Sequence, residues 1–135
     1  MLGRPTAWRI VVVALTPVAL LGAALVASVV WPETTVGHDV PEDLVSCFVF
    51  TPLFALGPLV AFALVRRGSD PVAPGLSGAA IGAAAGAWGA VAMTLHCRHV
   101  TPLHVALGHI APVVGVAILG VLVGQQVVAI RTKTG

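Results

Sequence analysis

Four long apolar runs separated by short polar breaks set the pattern of this chain: roughly residues 9–31, 44–66, 74–96 and 103–130. A helix needs about 20 predominantly apolar residues to cross a hydrocarbon core. Each run is long enough, and the pattern predicts an all-α integral membrane bundle of four transmembrane helices joined by short loops, forming a single domain over residues 1–135. The first run follows Arg4 and Arg9, as a secretory signal would. Its apolar core extends from Ile10 to Trp31, well past the roughly 7–15 residues of a signal core, so it reads as a retained helix.

The polar breaks carry recognisable punctuation. Trp31-Pro32 closes the first run at an interface, where an indole sits well, and residues 32–43 form the longest polar segment. Pro41-Glu42-Asp43 suits a helix start, because carboxylates complement the positive end of the helix dipole. Ser69-Asp70-Pro71 to Pro74-Gly75 makes a turn, and Thr101-Pro102 has the form of an N-cap followed by a first-turn proline. Short connections of this kind make sequential helices antiparallel neighbours.

Composition agrees with the pattern. Apolar residues make up 58% of the chain and charged residues 9%, too few to cover a small water-facing domain. The charges are sorted by side. Arg4, Arg9, Arg66, Arg67, Arg131 and Lys133 fall with Asp70 on one side, net +5. Arg98 falls with Glu33, Asp39, Glu42 and Asp43 on the other, net −3. The positive-inside rule places both termini in the cytoplasm, with the lipid bilayer as a partner.

The helices differ inside the membrane. Pro17, Pro52, Pro58 and Pro112 interrupt the first, second and fourth, whereas the third carries Gly75, Gly78, Gly82, Gly86 and Gly89 among alanines. Gly78, Gly82 and Gly86 recur every fourth residue and line one face with hydrogens, and Gly120 and Gly124 repeat the device in the last helix. Glycine and alanine that merely raise apolarity are the bland alternative; three in register favour close packing. A homo-oligomer is compatible with such faces.

Candidate chemistry concentrates at residues 94–104, TLHCRHVTPLH, which hold three of the five histidines and one of the two cysteines. Cys47 and Cys97 fall at the same ends of two adjacent helices, so a disulfide is within reach if their Cα atoms approach about 4.4–6.8 Å. A structural disulfide, a regulated one, and two thiols acting as small hydrophobes all remain open. His96, Cys97 and His99, with Cys47 nearby and His38 and His104 flanking, form a thiolate and imidazole set of the kind that suits Zn(II) or Cu(I). Histidines simply solvated at an interface are the commoner case for His38 and His99. His109 lies deeper, about five residues into the last helix, where an ionisable side chain is a functional candidate or a neutral imidazole bonded to a carbonyl or to Thr94. No nucleophile triad, phosphate loop or intramembrane carboxylate pair is evident, and no enzymatic activity is expected.

From Cys47 onward the order is distinctive. A cysteine opens a proline-bearing helix (FVFTPLFALGPLVAFAL), Arg66-Arg67-Gly68 and a proline turn follow, then a Gly/Ala helix ending in Leu95-His96-Cys97, then Thr101-Pro102-Leu103. Over this C-terminal two-thirds the chain resembles the NrsF-type anti-sigma factors. The resemblance implies a multi-pass negative regulator of transcription in a bacterial inner membrane that holds an extracytoplasmic-function sigma factor inactive and releases it under stress, with Cys47 and Cys97 at the sensor positions. Typical members have more spans and a longer cytoplasmic N-terminal segment than the Met1–Trp8 that precedes the first span here. Direct contact with nucleic acid is not expected. The competing reading is a small metal-binding or metal-transport protein that uses the Cys/His cluster as an entry site. Transport would want polar residues continuing across the bilayer, and below His109 the helices offer almost none.

Overall fold

The computed structural model describes residues 7–30, 41–66, 73–97, 99 and 101–134. It is all-helical, with α1 (Ala7–Val30), α2 (Pro41–Val65), α3 (Pro74–His96), a short α4 (Pro102–His104), a π-helical turn (Val105–Ile110) and α5 (Ala111–Thr134). The last three form one continuous rod, so the described residues hold four helices long and apolar enough to cross a membrane. The expectations for Arg4, Trp31-Pro32, His38, Arg67, Asp70 and Arg98 fall outside the described residues. The side chains of Arg9, Arg131 and Lys133 do so as well.

Each helix starts where its sequence supplies a start. Pro41 opens α2 with Glu42 and Asp43 in the first turn, Pro74 opens α3, and Thr101 caps α4 by accepting a hydrogen bond from the His104 N–H at 3.3 Å. The internal prolines Pro17, Pro52 and Pro58 are carried within α1 and α2.

In a hydrocarbon core, where lipid tails are as apolar as leucine, burial alone does not drive helices together and close packing must do so. Helix α3 is the centre of the bundle: Gly82, Ala84, Ala85, Gly86, Ala87, Gly89 and Ala90 are all buried. Its glycines meet neighbouring backbones. A Cβ at Gly78 would collide with the Gly120 carbonyl, one at Gly82 would lie 2.5 Å from the Val116 oxygen, and one at Gly89 would strike the Thr51 carbonyl and lie 2.8 Å from the Ala55 nitrogen. Gly124 likewise lies against the Pro74 carbonyl. The glycine ladder of α3 thus seats α5 on one side and α2 on another.

The facing side of α2 is small as well. Cys47, Thr51 and Ala55, spaced four apart, are buried, while Phe48, Phe50 and Phe54 are turned outward. Helix α1 contributes Leu21, which packs with Ala87 and Ala90 against Val91 and Val113. It is also pinned to α3 by the Trp88 indole, whose Nε1 donates to the Val13 carbonyl at 3.0 Å. At the far end of α2, the Arg66 guanidinium donates to Ser77 Oγ at 3.3 Å.

Candidate functional site

The site lies at the end of the bundle where α2 begins, α3 ends and the fourth rod starts. Cys47 stands less than two turns into α2, on the small-residue face that α2 presents to the bundle, and is 3% exposed. Helix α3 stops at His96, and Cys97 leaves it in extended conformation, half-buried. The two sulfurs, brought from different spans, lie 3.4 Å apart as free thiols.

The histidines come from the start of the fourth rod. His104 is 1% exposed and its Nε2 lies 3.2 Å from Cys97 Sγ. His109 is fully buried, and neither of its ring nitrogens has a hydrogen-bond partner. In an α-helix two residues five apart point about 140° away from each other, at 3.6 residues per turn. Here the turn between them is π-helical, closed by the Ala111 N–H bonding to the Ala106 carbonyl five residues back. This wider turn stacks the i and i+5 positions, and the His104 and His109 rings face each other with centroids 5.5 Å apart. The ligand-type atoms of Cys47, Cys97, His104 and His109 all lie within 4.8 Å of one another.

Two small residues permit this convergence. Gly108, between the histidines, lets α2 approach: a Cβ there would lie 3.2 Å from the Cys47 Cβ and 3.5 Å from His104 Nε2. Thr51 is fully buried one turn below Cys47, and its hydroxyl is shared between the Cys47 carbonyl at 2.8 Å and the Gly108 carbonyl at 3.2 Å. That hydroxyl ties α2 to the π turn directly beneath the thiols.

The remaining sequence candidates are placed differently. His96 is exposed, with Nδ1 2.8 Å from the Ala92 carbonyl and its ring stacked on Phe54 at 6.0 Å. His99 pairs with Asp43, Nε2 to Oδ2 at 3.0 Å, and so ties the α3–α4 junction to the start of α2. Its ring also lies 5.4 Å from that of His104, and its carbonyl is 3.6 Å from Cys97 Sγ. The structure therefore gathers Cys47 and Cys97 with His104 and His109, and leaves His96 and His99 at the rim. Thr94, a candidate partner for His109, instead donates to the Ala90 carbonyl at 2.8 Å. His104 and Thr51 carry more of the site than sequence spacing suggests. The available signals were a histidine in the first turn after Thr-Pro, and a threonine four residues after a cysteine on one helical face.

Chemically, the arrangement can do two things. The thiols can join as a disulfide across α2 and α3, or the four donors can take up a soft or borderline metal ion.

No curated protein and no solved structure matches the chain. The family model described as negative regulator of sigma F does match, over residues 1–129, so it takes in α1 as well as the C-terminal two-thirds that carry the sequence resemblance. With four helices long and apolar enough to cross a membrane among its described residues, and a family match over nearly its whole length, the chain belongs to the NrsF family.

Proposed function

We propose that the chain is an inner-membrane anti-sigma regulator whose Cys47/Cys97 junction faces the periplasm and senses a redox or metal signal. In this reading both termini are cytoplasmic, and the partner is an extracytoplasmic-function sigma factor. Family membership supports the regulatory role. The observation that carries the sensor is the pair of free sulfurs 3.4 Å apart on two separate spans. Joining them releases two protons and passes two electrons to an external oxidant such as a peroxide. The new bond ties the start of α2 to the end of α3, and a disulfide can persist in that compartment.

A signal shifts such a regulator only if the two thiol states differ in affinity for the partner. The geometry offers a route, because Cys47, Thr51 and Gly108 link the thiols to the rod that runs to the opposite end of the bundle. Transport is the weaker reading. Among the described residues the buried polar side chains are Ser28, Thr51, His104 and His109, and beyond His109 the buried positions of α3 are alanine and glycine.

The deciding experiment replaces both cysteines by serine and follows a reporter driven by a co-encoded sigma factor. Lost stress response with basal repression intact is the expected result. An unchanged response overturns the sensor.

A further inference from the structure

We infer that Cys47, Cys97, His104 and His109 form one tetrahedral site for a divalent d10 cation of the zinc class, and that the π turn is what completes it. This deepens the sensor reading by naming its ligand, but it stands on the coordinates of the four donors.

The first observation is distance. With Zn–S near 2.3 Å and Zn–N near 2.0–2.1 Å, the edges of a tetrahedral S2N2 site are about 3.3–3.8 Å. The Cys47–Cys97 sulfurs at 3.4 Å and the Cys97–His104 pair at 3.2 Å already stand near that length. The outer limit among all four donors is 4.8 Å, so no pair has to close by more than about 1.5 Å to reach the tetrahedral edge.

The second observation is His109. A buried imidazole with neither nitrogen hydrogen-bonded forgoes the interaction that offsets its removal from water. It faces His104 inside the cluster, and a cation supplies what no protein group does.

The third is charge. Two thiolates and two neutral imidazoles around a divalent ion sum to zero, whereas a monovalent ion in the same set leaves a net negative charge buried in apolar surroundings. The balance selects Zn(II) over Cu(I). Binding is written as M(II) plus two thiols giving the neutral site plus two protons, which leave with the water displaced from the ion.

Metal and disulfide then compete for the same sulfurs. The bound ion clamps three spans at once, since Cys47 belongs to α2, Cys97 follows α3, and the histidines sit on the fourth rod. A disulfide holds only the first two of these.

The test is a Zn(II) titration of the full chain in detergent against a chromophoric competitor, with no sigma factor present. One ion per chain is expected. Cys47→Ser, Cys97→Ser, His104→Gln and His109→Gln each weaken binding at least about 100-fold, as loss of a ligand should exceed the 10–100-fold cost of losing an outer-shell partner. His96→Gln, at an exposed position against Phe54, leaves it unchanged. Two measurements on the unaltered chain guard against misfolded variants. Co(II) should give an intense tetrahedral spectrum with a thiolate charge-transfer band, and Zn(II) should protect both thiols from disulfide formation by peroxide. Absence of stoichiometric Zn(II) binding, a weak octahedral Co(II) spectrum, or binding indifferent to both His104→Gln and His109→Gln would overturn the site. A positive titration with an unresponsive reporter would retain the site and reject the sensor.

Discussion

Gly78 of α3 and Gly120 of α5 lie backbone against backbone, each occupying the space that a Cβ on the other would need. Adding that carbon forces the carbonyl of the partner helix to move, and no flexible side chain is there to yield. Gly78→Ala and Gly120→Ala should each cost about 1–3 kcal/mol, the range for overpacking a close-packed interior. At Gly115 a Cβ meets nothing within 4 Å, and Gly115→Ala should be neutral or stabilising by at most about 1 kcal/mol, as alanine is the better helix former. Thermal unfolding in detergent checks the order.

The Thr51 hydroxyl bridges the Cys47 and Gly108 carbonyls from a fully buried position. Thr51→Val keeps the shape and removes the hydrogen bonds, and should cost about 1–2 kcal/mol. Thr51→Ser restores the donor and should recover most of it. Equal stability of Val and Ser variants would show that the hydroxyl is idle.

Cys47 and Cys97 should cross-link rapidly and within one chain on exposure to a mild oxidant, given sulfurs already 3.4 Å apart. Mass spectrometry of the intact chain would show the loss of two hydrogens and no dimer. Dimer formation instead would mean that the thiols serve contacts between copies.

Orientation is checked by a thiol reagent that cannot cross membranes. Cys97 is half-buried at the end of α3 and should be labelled from the periplasmic side of intact cells stripped of their outer membrane, with buried Cys47 reacting more slowly. Labelling confined to inside-out vesicles would reverse the topology.

The four helices long and apolar enough to cross a membrane were legible because a hydrocarbon core would constrain such a chain's hydropathy and length more tightly than water does. The Gly78, Gly82, Gly86 register was legible for a similar reason, since only glycine admits a neighbouring backbone that closely. The thiol pair could be anticipated from Cys47 and Cys97 standing at matching helix ends. The histidine half was harder to see. Sequence proximity groups His96 and His99 with Cys97, yet His96 is the last residue of α3 and is turned to the outside against Phe54, while His99 is drawn to Asp43. His104 and His109, spaced five apart, fall on different faces of a regular α-helix, so α-helical periodicity separates the residues that the π turn unites.

That turn makes the fourth rod a screw with a step in its thread. At the step it shows Gly108 and its histidines to α2, and below it Gly120 and Gly124 lie in the groove of α3. Were the step to relax into an unbroken α-helix, one end would rotate against the other by about 100°, the angle of a single residue. Either the histidines or the glycines would then leave their seat. The two ends of the rod are therefore phase-locked: what holds the ring pair in place at one surface also holds the helix–helix groove near the other.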